Sequence, residues 1–190
     1  MIIAIEGGDQ AGKKTQTAML ARELRRRKIK TATFSFPDYH TPVGQEISKY
    51  LSGNRSFPPQ VIHCLLAANR WERLDKIRDA VSKNSVVIMN RYYHSNLVYG
   101  MANGMNASWL ENLDKGLPKS DMVILLDIPQ LESFNRKSAG RDKFEKNREF
   151  LQKILDTYRS VAKKRRWRIV DASRPRKEVH CDILKLLPEM

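Results

Sequence analysis

The sequence opens on MIIAIEGGDQAGKKT, residues 1–15, and this stretch decides the fold class. Residues 1–6 form an apolar, β-branched run that predicts a short buried strand. Gly7, four further residues and then Gly12-Lys13 follow the run, and a helical pattern comes next. Glycines allow a tight, partly left-handed backbone whose N–H groups converge on an anion at the start of a helix. The stretch therefore predicts a phosphate-binding loop, with Lys13 reaching the β- and γ-phosphates of a nucleotide.

Strands and helices alternate along the rest of the chain. Further strands are predicted at residues 31–36, 86–89, 122–127 and 168–171, and helices at residues 15–28, 42–52, 59–83, 109–115, 147–163 and 178–187. This alternation predicts an α/β protein of three layers, in which helices flank a parallel five-stranded sheet. Because no repeat, low-complexity tract or linker divides the chain, we expect a single domain over residues 1–190.

Composition indicates an ordinary globular protein, with 41% hydrophobic and 29% charged residues. No apolar run is long enough to cross a bilayer, and the N-terminus has neither a basic leader nor a small-residue cleavage site. We therefore expect neither a membrane span nor a secretory signal. Cys64 and Cys181 lie in apolar-patterned segments, which predicts two buried free thiols in a reducing cytosol.

The net charge of +14 predicts a negatively charged partner. Two basic runs, residues 25–28 and 163–166, lie in helical stretches and are interpreted as solvated helix faces. On charge alone, binding of nucleic acid stays open as an alternative.

Groups suited to an anionic substrate follow the predicted strands. Residues 36–39 (FPDY) follow the second strand, and residues 90–92 (NRY) close the third. Basic residues cluster in the glycine-containing segment 136–143. The carboxyl ends of parallel strands bind ligands, and phosphoryl transfer depends mostly on positioning and charge stabilisation. The pattern predicts a phosphotransferase with a basic segment that closes over the nucleotide and excludes water.

Six ordered segments carry a family resemblance. They are EGGDQAGKKTQ (6–16), HCLLAANRWE (63–72), NRYYHS (90–95), GLPKSDMVILLDI (116–128), GRDKFE (140–145) and VDAS (170–173). In order and spacing they resemble the thymidylate kinases, eukaryotic and archaeal members most closely, over nearly the whole chain. The resemblance implies the P-loop nucleoside monophosphate kinase fold, with a lid near residues 136–146.

The resemblance also implies an ATP site on the phosphate loop, formed by Gly7, Gly8, Asp9, Gln10, Ala11, Gly12, Lys13, Lys14 and Thr15. Arg136 would pack against adenine, and Ser173 would belong to the loop beside it. The catalytic residues implied are Lys13, Arg91, Arg141 and Lys143.

For the acceptor, the resemblance implies a dTMP site. Asp9 would hold the 3′-hydroxyl, Arg70 an exocyclic oxygen of the base, and Arg91 the acceptor phosphate. Phe144 stands where the family usually has tyrosine, and its ring would crowd a 2′-hydroxyl, which favours deoxyribose. The other implied pocket residues are Phe36, Pro37, Tyr39, Leu66, Ser95 and Tyr99.

Plain structural roles stay open for several of these residues. Arg70 could instead pair with Glu72 or Asp75 on its own helix. Other such roles are a turn at Asp9, core packing for Tyr99 and Phe144, and surface charge for Arg136, Arg141 and Lys143.

Four positions depart from the family pattern. Lys14 stands where a hydroxyl binds Mg²⁺, and Asn90 where an aspartate holds the ion through water. Because a protonated lysine has donors only, we expect the ATP phosphates to hold Mg²⁺ and predict no metal ligand on the protein. Leu66 stands where a ring stacks on thymine and Tyr39 where an arginine holds phosphate, so the base is less firmly specified than the reaction.

The sequence thus predicts a kinase that converts dTMP and ATP into dTDP and ADP, as a cytoplasmic homodimer joined through its long helices. One alternative is a kinase for dUMP or dCMP. Another is a nucleic-acid-binding protein with a degenerate phosphate loop, although strands with exposed aromatic and basic residues are absent and nucleic acid is not an expected partner.

Overall fold

A computed structural model describes residues 1–136 and 148–188. The strands are β1 (Ile2–Gly7), β2 (Thr31–Ser35), β3 (Val86–Asn90), β4 (Met122–Asp127) and β5 (Arg168–Asp171). The helices within these ranges are α1 (Lys13–Arg26), α2 (Pro42–Leu51), α3 (Pro59–Trp71), α4 (Leu74–Lys83), α5 (Tyr93–Ala102), α6 (Ala107–Asn112), α7 (Gln130–Asn135), α8 (Arg148–Lys164) and α9 (Arg176–Lys185). The strands pair in parallel in the order β2-β3-β1-β4-β5, which confirms the predicted five-stranded sheet.

Helices cover both faces of the sheet. Successive side chains of a strand point to opposite faces, so Ile3 and Ile5 join a core with α1 and α9, whereas Ile2 and Ala4 join one with α4. A third core, around Leu125, joins α5 and α8. Burial on both sides explains why β1 and β3 are continuous apolar runs rather than alternating ones.

The connections place a crevice beside the end of β1. From this central strand, the chain builds β2 and β3 on one side and β4 and β5 on the other. The order therefore reverses at β1, and ligands of parallel sheets bind outside the carboxyl ends of strands at such a point. The phosphate loop leaves β1 there.

The prediction of one long helix over residues 59–83 is wrong, because α3 ends at Trp71 and α4 begins at Leu74. Arg73 leaves the helical path at φ −103° and ψ 3°, and its Nε donates to Asp38 Oδ2 at 2.6 Å. The indole of Trp71 donates to the carbonyl of Leu113 at 2.8 Å. Polar contacts with distant segments fix this break, so the apolar period of the sequence did not reveal it.

Two helices, α5 and α7, were not predicted. Most residues of α5 are buried, so its sequence lacks the one-sided apolar period that indicates a helix. The short helix predicted at residues 109–115 lies earlier, at Ala107–Asn112, because the Asn106 side chain caps it by accepting from Trp109 N. None of the helices in the described ranges is both long and apolar enough to span a membrane.

The prediction of two buried thiols is also wrong. Cys64 and Cys181 are free and exposed. On α9, Val179 and Ile183 are buried, and residues four apart share a helix face. Position 181, between them in sequence, therefore faces away from the core.

Candidate active site

The phosphate loop has the backbone that its glycines permit. Gly7 has a φ of +146°, and a Cβ there would lie 2.5 Å from the carbonyl oxygen of Leu126, so only glycine fits beside β4. Gly12 has a φ of +86° and is the N-cap of α1, where left-handed backbone suits glycine. The loop thus turns directly into the N-terminus of α1, where free N–H groups favour an anion.

Lys13 lies inside this loop rather than in solvent. Its Nζ donates to the carbonyl of Gly8 at 2.6 Å, and the residue is 8% exposed. Lys14 and Thr15 are exposed and line the same crevice. The ammonium of Lys13 is therefore held at the loop centre, with the side chains of the next two residues at its rim.

Two connected cavities open at the carboxyl edge of the sheet. The larger, about 970 Å³, extends from the phosphate loop past the ends of β2 and β3 to residues 172–179. The smaller, about 130 Å³, lies between α3 and α5. Asp9 and Arg91 are two of the five residues that line both cavities, so they lie where the two cavities adjoin.

The smaller cavity collects the predicted acceptor residues. Every one of them in the described ranges lines it: Asp9, Phe36, Pro37, Tyr39, Leu66, Arg70, Arg91, Ser95 and Tyr99. These residues come from the phosphate loop, the end of β2, α3, the end of β3 and α5. The fold thus brings together side chains that are up to 90 positions apart in sequence.

Arg91 lies at the junction of the two cavities. It has a left-handed φ of 60°, and its guanidinium forms an ion pair with Asp9. It also donates to the hydroxyls of Ser95 at 3.1 Å and Tyr99 at 3.3 Å. Tyr99 in turn donates to Asp9 Oδ2 at 3.0 Å. The acidic and basic groups at the junction of the cavities are therefore preoriented toward each other.

Glu6 is linked to Arg91 through the hydroxyls of Ser95 and Tyr158, which hydrogen-bond to both residues. It was not predicted as part of the site. It is fully buried and accepts hydrogen bonds from Tyr92 N at 2.8 Å, Ser95 Oγ at 2.5 Å and Tyr158 Oη at 3.1 Å. Burial raises the pKa of Glu6, and these hydrogen bonds and the nearby Arg91 charge act against that rise. A carboxylate in an otherwise apolar strand was the signal that could have revealed it.

Arg70 has a partner that the sequence did not suggest. Its guanidinium binds both carboxylate oxygens of Asp114, with Nε–Oδ1 at 2.7 Å and Nη2–Oδ2 at 2.8 Å. The proposed alternatives, Glu72 and Asp75, are not the residues it binds in this arrangement. Asp114 follows α6, so only the tertiary fold brings it to α3.

Arg136 bridges the phosphate loop and the segment that follows β5. Its guanidinium donates to the carbonyls of Gln10 at 3.3 Å, Ala172 at 2.9 Å and Ser173 at 3.4 Å. The hydroxyl of Ser173 turns to Asp171 Oδ1 at 2.6 Å, and Ala172 rather than Ser173 lines the cavity. Arg174 and Arg176 also line it and were missed, because the resemblance stopped at residue 173.

The side-chain oxygens near the phosphate loop that could bind a metal ion are mostly neutral. The Oδ1 of Asn90 is buried and has no hydrogen-bond partner among the described residues, while its Nδ2 donates to Ser35 Oγ at 3.2 Å. Across the described ranges, no group of three His, Cys, Asp or Glu side chains could cage a metal ion. One unpaired amide oxygen fits a Mg²⁺ ion that is carried by a nucleotide, with the protein supplying at most an outer ligand.

Three predicted residues cannot be placed in this geometry. Arg141, Lys143 and Phe144 lie outside the described residues, as does most of the predicted lid at residues 136–146.

A family model for thymidylate kinase matches residues 5–183. The chain belongs to the thymidylate kinase family. It is 36% identical to a thymidylate kinase of Plasmodium falciparum over 184 residues, which cover 96% of this chain and 87% of that protein. It is 34% identical to one of Schizosaccharomyces pombe over 191 residues, covering 98% of this chain and 90% of that protein. The predicted resemblance to eukaryotic thymidylate kinases is thereby confirmed.

A solved structure of a thymidylate kinase from Candida albicans superposes with a TM-score of 0.87 at 30% identity, and the match covers 97% of this chain and 89% of that one. This thymidylate kinase fold confirms the predicted P-loop nucleoside monophosphate kinase architecture.

Proposed function

We propose that this chain is an enzyme that transfers the γ-phosphoryl group of ATP to dTMP, giving dTDP and ADP. One observation carries the proposal: the predicted acceptor residues line a single small cavity that shares Asp9 and Arg91 with the cavity of the phosphate loop. A donor in the larger cavity and an acceptor in the smaller one would meet at these two residues.

On the donor side, the N–H groups of residues 7–15 bind the ATP phosphates and Lys13 neutralises their charge. Arg136 and the segment at Ala172 and Ser173 hold the adenine end. Arg141 and Lys143 complete the charge stabilisation of the phosphoryl group in transfer. Positioning and charge do most of the work, since the reaction needs little covalent chemistry from the protein.

On the acceptor side, Arg91 grips the phosphate of dTMP, which is already an anion, so no general base is required. Asp9 accepts from the 3′-hydroxyl, and Arg70 donates to the base. In the present arrangement, Asp9 is engaged by Arg91 and Tyr99. Binding of dTMP therefore replaces part of the contact between Asp9 and Arg91 with contacts to the sugar and the phosphate.

Mg²⁺ is proposed as the metal of the reaction, carried by the ATP phosphates. When bound, it neutralises charge on the phosphates. The unpaired Oδ1 of Asn90 and the exposed hydroxyl of Thr15 are the groups that would lie nearest to it or to its waters. Lys14 would add positive charge at the rim of the loop.

The base preference is the part of the proposal with a competitor. Leu66 and Tyr39 line the small cavity where the family more often has an aromatic ring and an arginine. A leucine side chain offers less stacking specificity than a ring, which favours dUMP or dCMP as second substrates. Phe144 would disfavour ribonucleotides, since a buried hydroxyl without a partner costs about 1–3 kcal/mol.

The assembly and compartment are further proposals. We propose a homodimer that uses the surface of α3 and α4, where Val61 and Trp71 are exposed apolar side chains at 40% and 37%. We propose a reducing cytoplasm as the location, because both cysteines are exposed and free and would be open to oxidation elsewhere.

ADP release tests the function directly. The enzyme is assayed with ATP and Mg²⁺ and, separately, dTMP, dUMP, dCMP, dGMP, UMP or no acceptor. We expect the highest kcat/KM with dTMP, and dUMP above UMP by about ten- to a hundredfold. Equal ADP release with and without acceptor would make the chain an ATPase and overturn the proposal, whereas a preference for dUMP or dCMP would replace only the base.

A further inference from the structure

A separate cleft lies at the opposite edge of the sheet from the candidate active site. It has a volume of about 540 Å³ and is lined by residues 119–123 and 165–168, which lead into β4 and β5, and by Tyr93 and His94. β4 has six residues, so the two edges of the sheet lie about 17 Å apart at a rise of about 3.3 Å per residue. None of these residues belongs to the proposed site for ATP or dTMP.

Exposed cations line this cleft. Lys119, Arg166 and Arg168 are exposed, and none forms an ion pair with a carboxylate in the part of the chain that the structure describes. Arg165, by contrast, pairs with Glu111. Neighbouring positive charges without counter-charges repel one another. An anion bound between them would offset this electrostatic repulsion.

The other polar groups of the cleft offset only part of this charge. Asp121, whose Oδ2 accepts from Ile2 N at 2.6 Å, carries one negative charge, and Lys119, Arg166 and Arg168 outnumber it. His94 Nε2 lies 3.1 Å from Ser120 Oγ. Burial lowers the pKa of His94 to about 3, with Arg165 and Arg70 acting in the same direction, so this imidazole is neutral at pH 7. The cleft therefore selects a ligand by its negative charge.

The cationic surface continues beyond the cleft. The strand order places Lys30, which precedes β2, and Arg168, which begins β5, at the two ends of the same edge. Four strand spacings of about 4.8 Å separate them, about 19 Å in all. Met1 lies between them, and its N donates to the carbonyl of Ser85 at 2.9 Å. A row of that length fits repeated phosphates better than the clustered phosphates of one nucleotide.

Aromatic surface accompanies the charge. Tyr93 and Trp167 are partly exposed and line the cleft, and the His94 ring lies 4.1 Å from Tyr93 and 5.1 Å from Trp167 between centroids. Aromatic rings beside a basic groove are the usual means of binding single strands, because every base has a π-face that can stack.

We propose that this edge of the sheet, through Lys119, Arg166 and Arg168 in the cleft, binds single-stranded nucleic acid. The cations contact successive phosphates, and the cleft receives one base against Trp167. The sequence left nucleic acid open on charge alone and did not indicate this surface, because the surface is assembled from segments that precede different strands. The proposal goes beyond the kinase activity and uses no residue of that site.

Fluorescence anisotropy tests the proposal with a labelled single-stranded oligonucleotide of about 20 nucleotides at about 50 mM and 200 mM salt. The test variant is Lys119→Glu/Arg166→Glu/Arg168→Glu. The control, Arg22→Glu/Lys153→Glu/Lys177→Glu, changes net charge equally at exposed positions on α1, α8 and α9. We expect the test variant to weaken binding at least about tenfold and to reduce the salt slope by about 2, since each phosphate contact contributes about 0.7. The control should stay within about twofold.

Further measurements separate this surface from the active site. Saturating ATP and dTMP should not displace the oligonucleotide, and the test variant should keep the ADP-release rate of the parent. If the triple glutamate variant melts early, the glutamine version of the same three positions replaces it. Equal loss in test and control variants, displacement by ATP with dTMP or by free dTTP, or binding of anionic vesicles in place of the oligonucleotide would each overturn the proposal.

Discussion

Arg70 and Asp114 form a buried, bidentate ion pair that links α3 to the segment after α6. The Nε–Oδ1 and Nη2–Oδ2 distances are 2.7 and 2.8 Å, and the side chains are only 3% and 5% exposed. Arg70 lines the small cavity, so Asp114 fixes the direction of the guanidinium that we propose contacts the base. The same ion pair therefore contributes to the stability of the fold and to the shape of the proposed acceptor pocket.

Removing one partner of this pair should be costly. Asp114→Ala leaves a cation buried without its counter-charge, so we expect the free energy of unfolding to fall by about 3–5 kcal/mol. Urea denaturation at neutral pH measures it. Asp79→Ala, which breaks the exposed pair with Lys83, is the matched control and should change stability by less than about 1 kcal/mol. Similar losses in the two variants would show that the buried pair has no special role.

Arg91→Ala should cost several kcal/mol of transition-state stabilisation, about 2–5 kcal/mol for a buried charge-assisted contact. The measurement is kcat/KM for dTMP. Arg91→Lys should not restore the rate, because an ammonium lacks the planar fork that binds Asp9 and a phosphate together. Near-full activity of the alanine variant would remove Arg91 from the site.

Lys13→Ala should abolish turnover while the fold persists. The side chain makes a hydrogen bond to the carbonyl of Gly8 within the loop and is not part of the apolar cores. Circular dichroism should match the parent while ADP release falls to background. Retained kinase activity in a folded variant would contradict the assignment of the phosphate loop.

The metal prediction rests on Lys14 and Asn90. An amide oxygen attracts Mg²⁺ less than a carboxylate, and a protonated lysine cannot ligate it. We therefore expect Lys14→Ser/Asn90→Asp to reach half-maximal activity at a lower free Mg²⁺ concentration than the parent. Titration of ADP release against free Mg²⁺ measures the shift, and the two single variants apportion it. An unchanged midpoint would mean that these positions do not tune the ion.

Stability should fall in mild acid because His94 is buried as a neutral ring. Its folded-state pKa of about 3 lies below the unfolded value of 6.5. Between these values the unfolded chain binds a proton that the folded chain excludes. The contribution of His94 to the free energy of unfolding is therefore fully present above pH 6.5. It falls toward pH 3 by up to about 1.4 kcal/mol per pH unit.

His94→Gln keeps an amide near Ser120 and removes this titration. The raised pKa of Glu6 acts in the opposite direction, and the lowered pKa values of His63 and His180 act in the same one. The relevant quantity is therefore the difference between variant and parent. We expect urea denaturation at pH 7 and pH 5 to show a smaller loss of stability in the variant. Equal losses would mean that His94 does not contribute to acid sensitivity.

Much of the fold was predictable because its signals are local. β1, the glycines after it and the start of α1 are contiguous, so the phosphate loop could be read from residues 1–15 alone. β3 and β4 are buried on both faces and appear as continuous apolar runs. In contrast, α5 is buried on most sides and gave no period, and the break between α3 and α4 depends on Asp38 and Leu113, which are remote in sequence.

The α/β class, the phosphate loop and, through its ordered motifs, the family can be inferred from the sequence alone. Those properties follow from the periodicity of apolar residues and from motifs of neighbouring residues, and both are visible in the sequence. The tertiary structure was needed to show that Asp114 rather than Glu72 or Asp75 binds Arg70, that Glu6 shares hydrogen-bond partners with Arg91, and that exposed cations line the edge opposite the site. Each of these depends on which distant segments become adjacent when helices cover both faces of the sheet, and burial then fixes the partner of every charged group enclosed there.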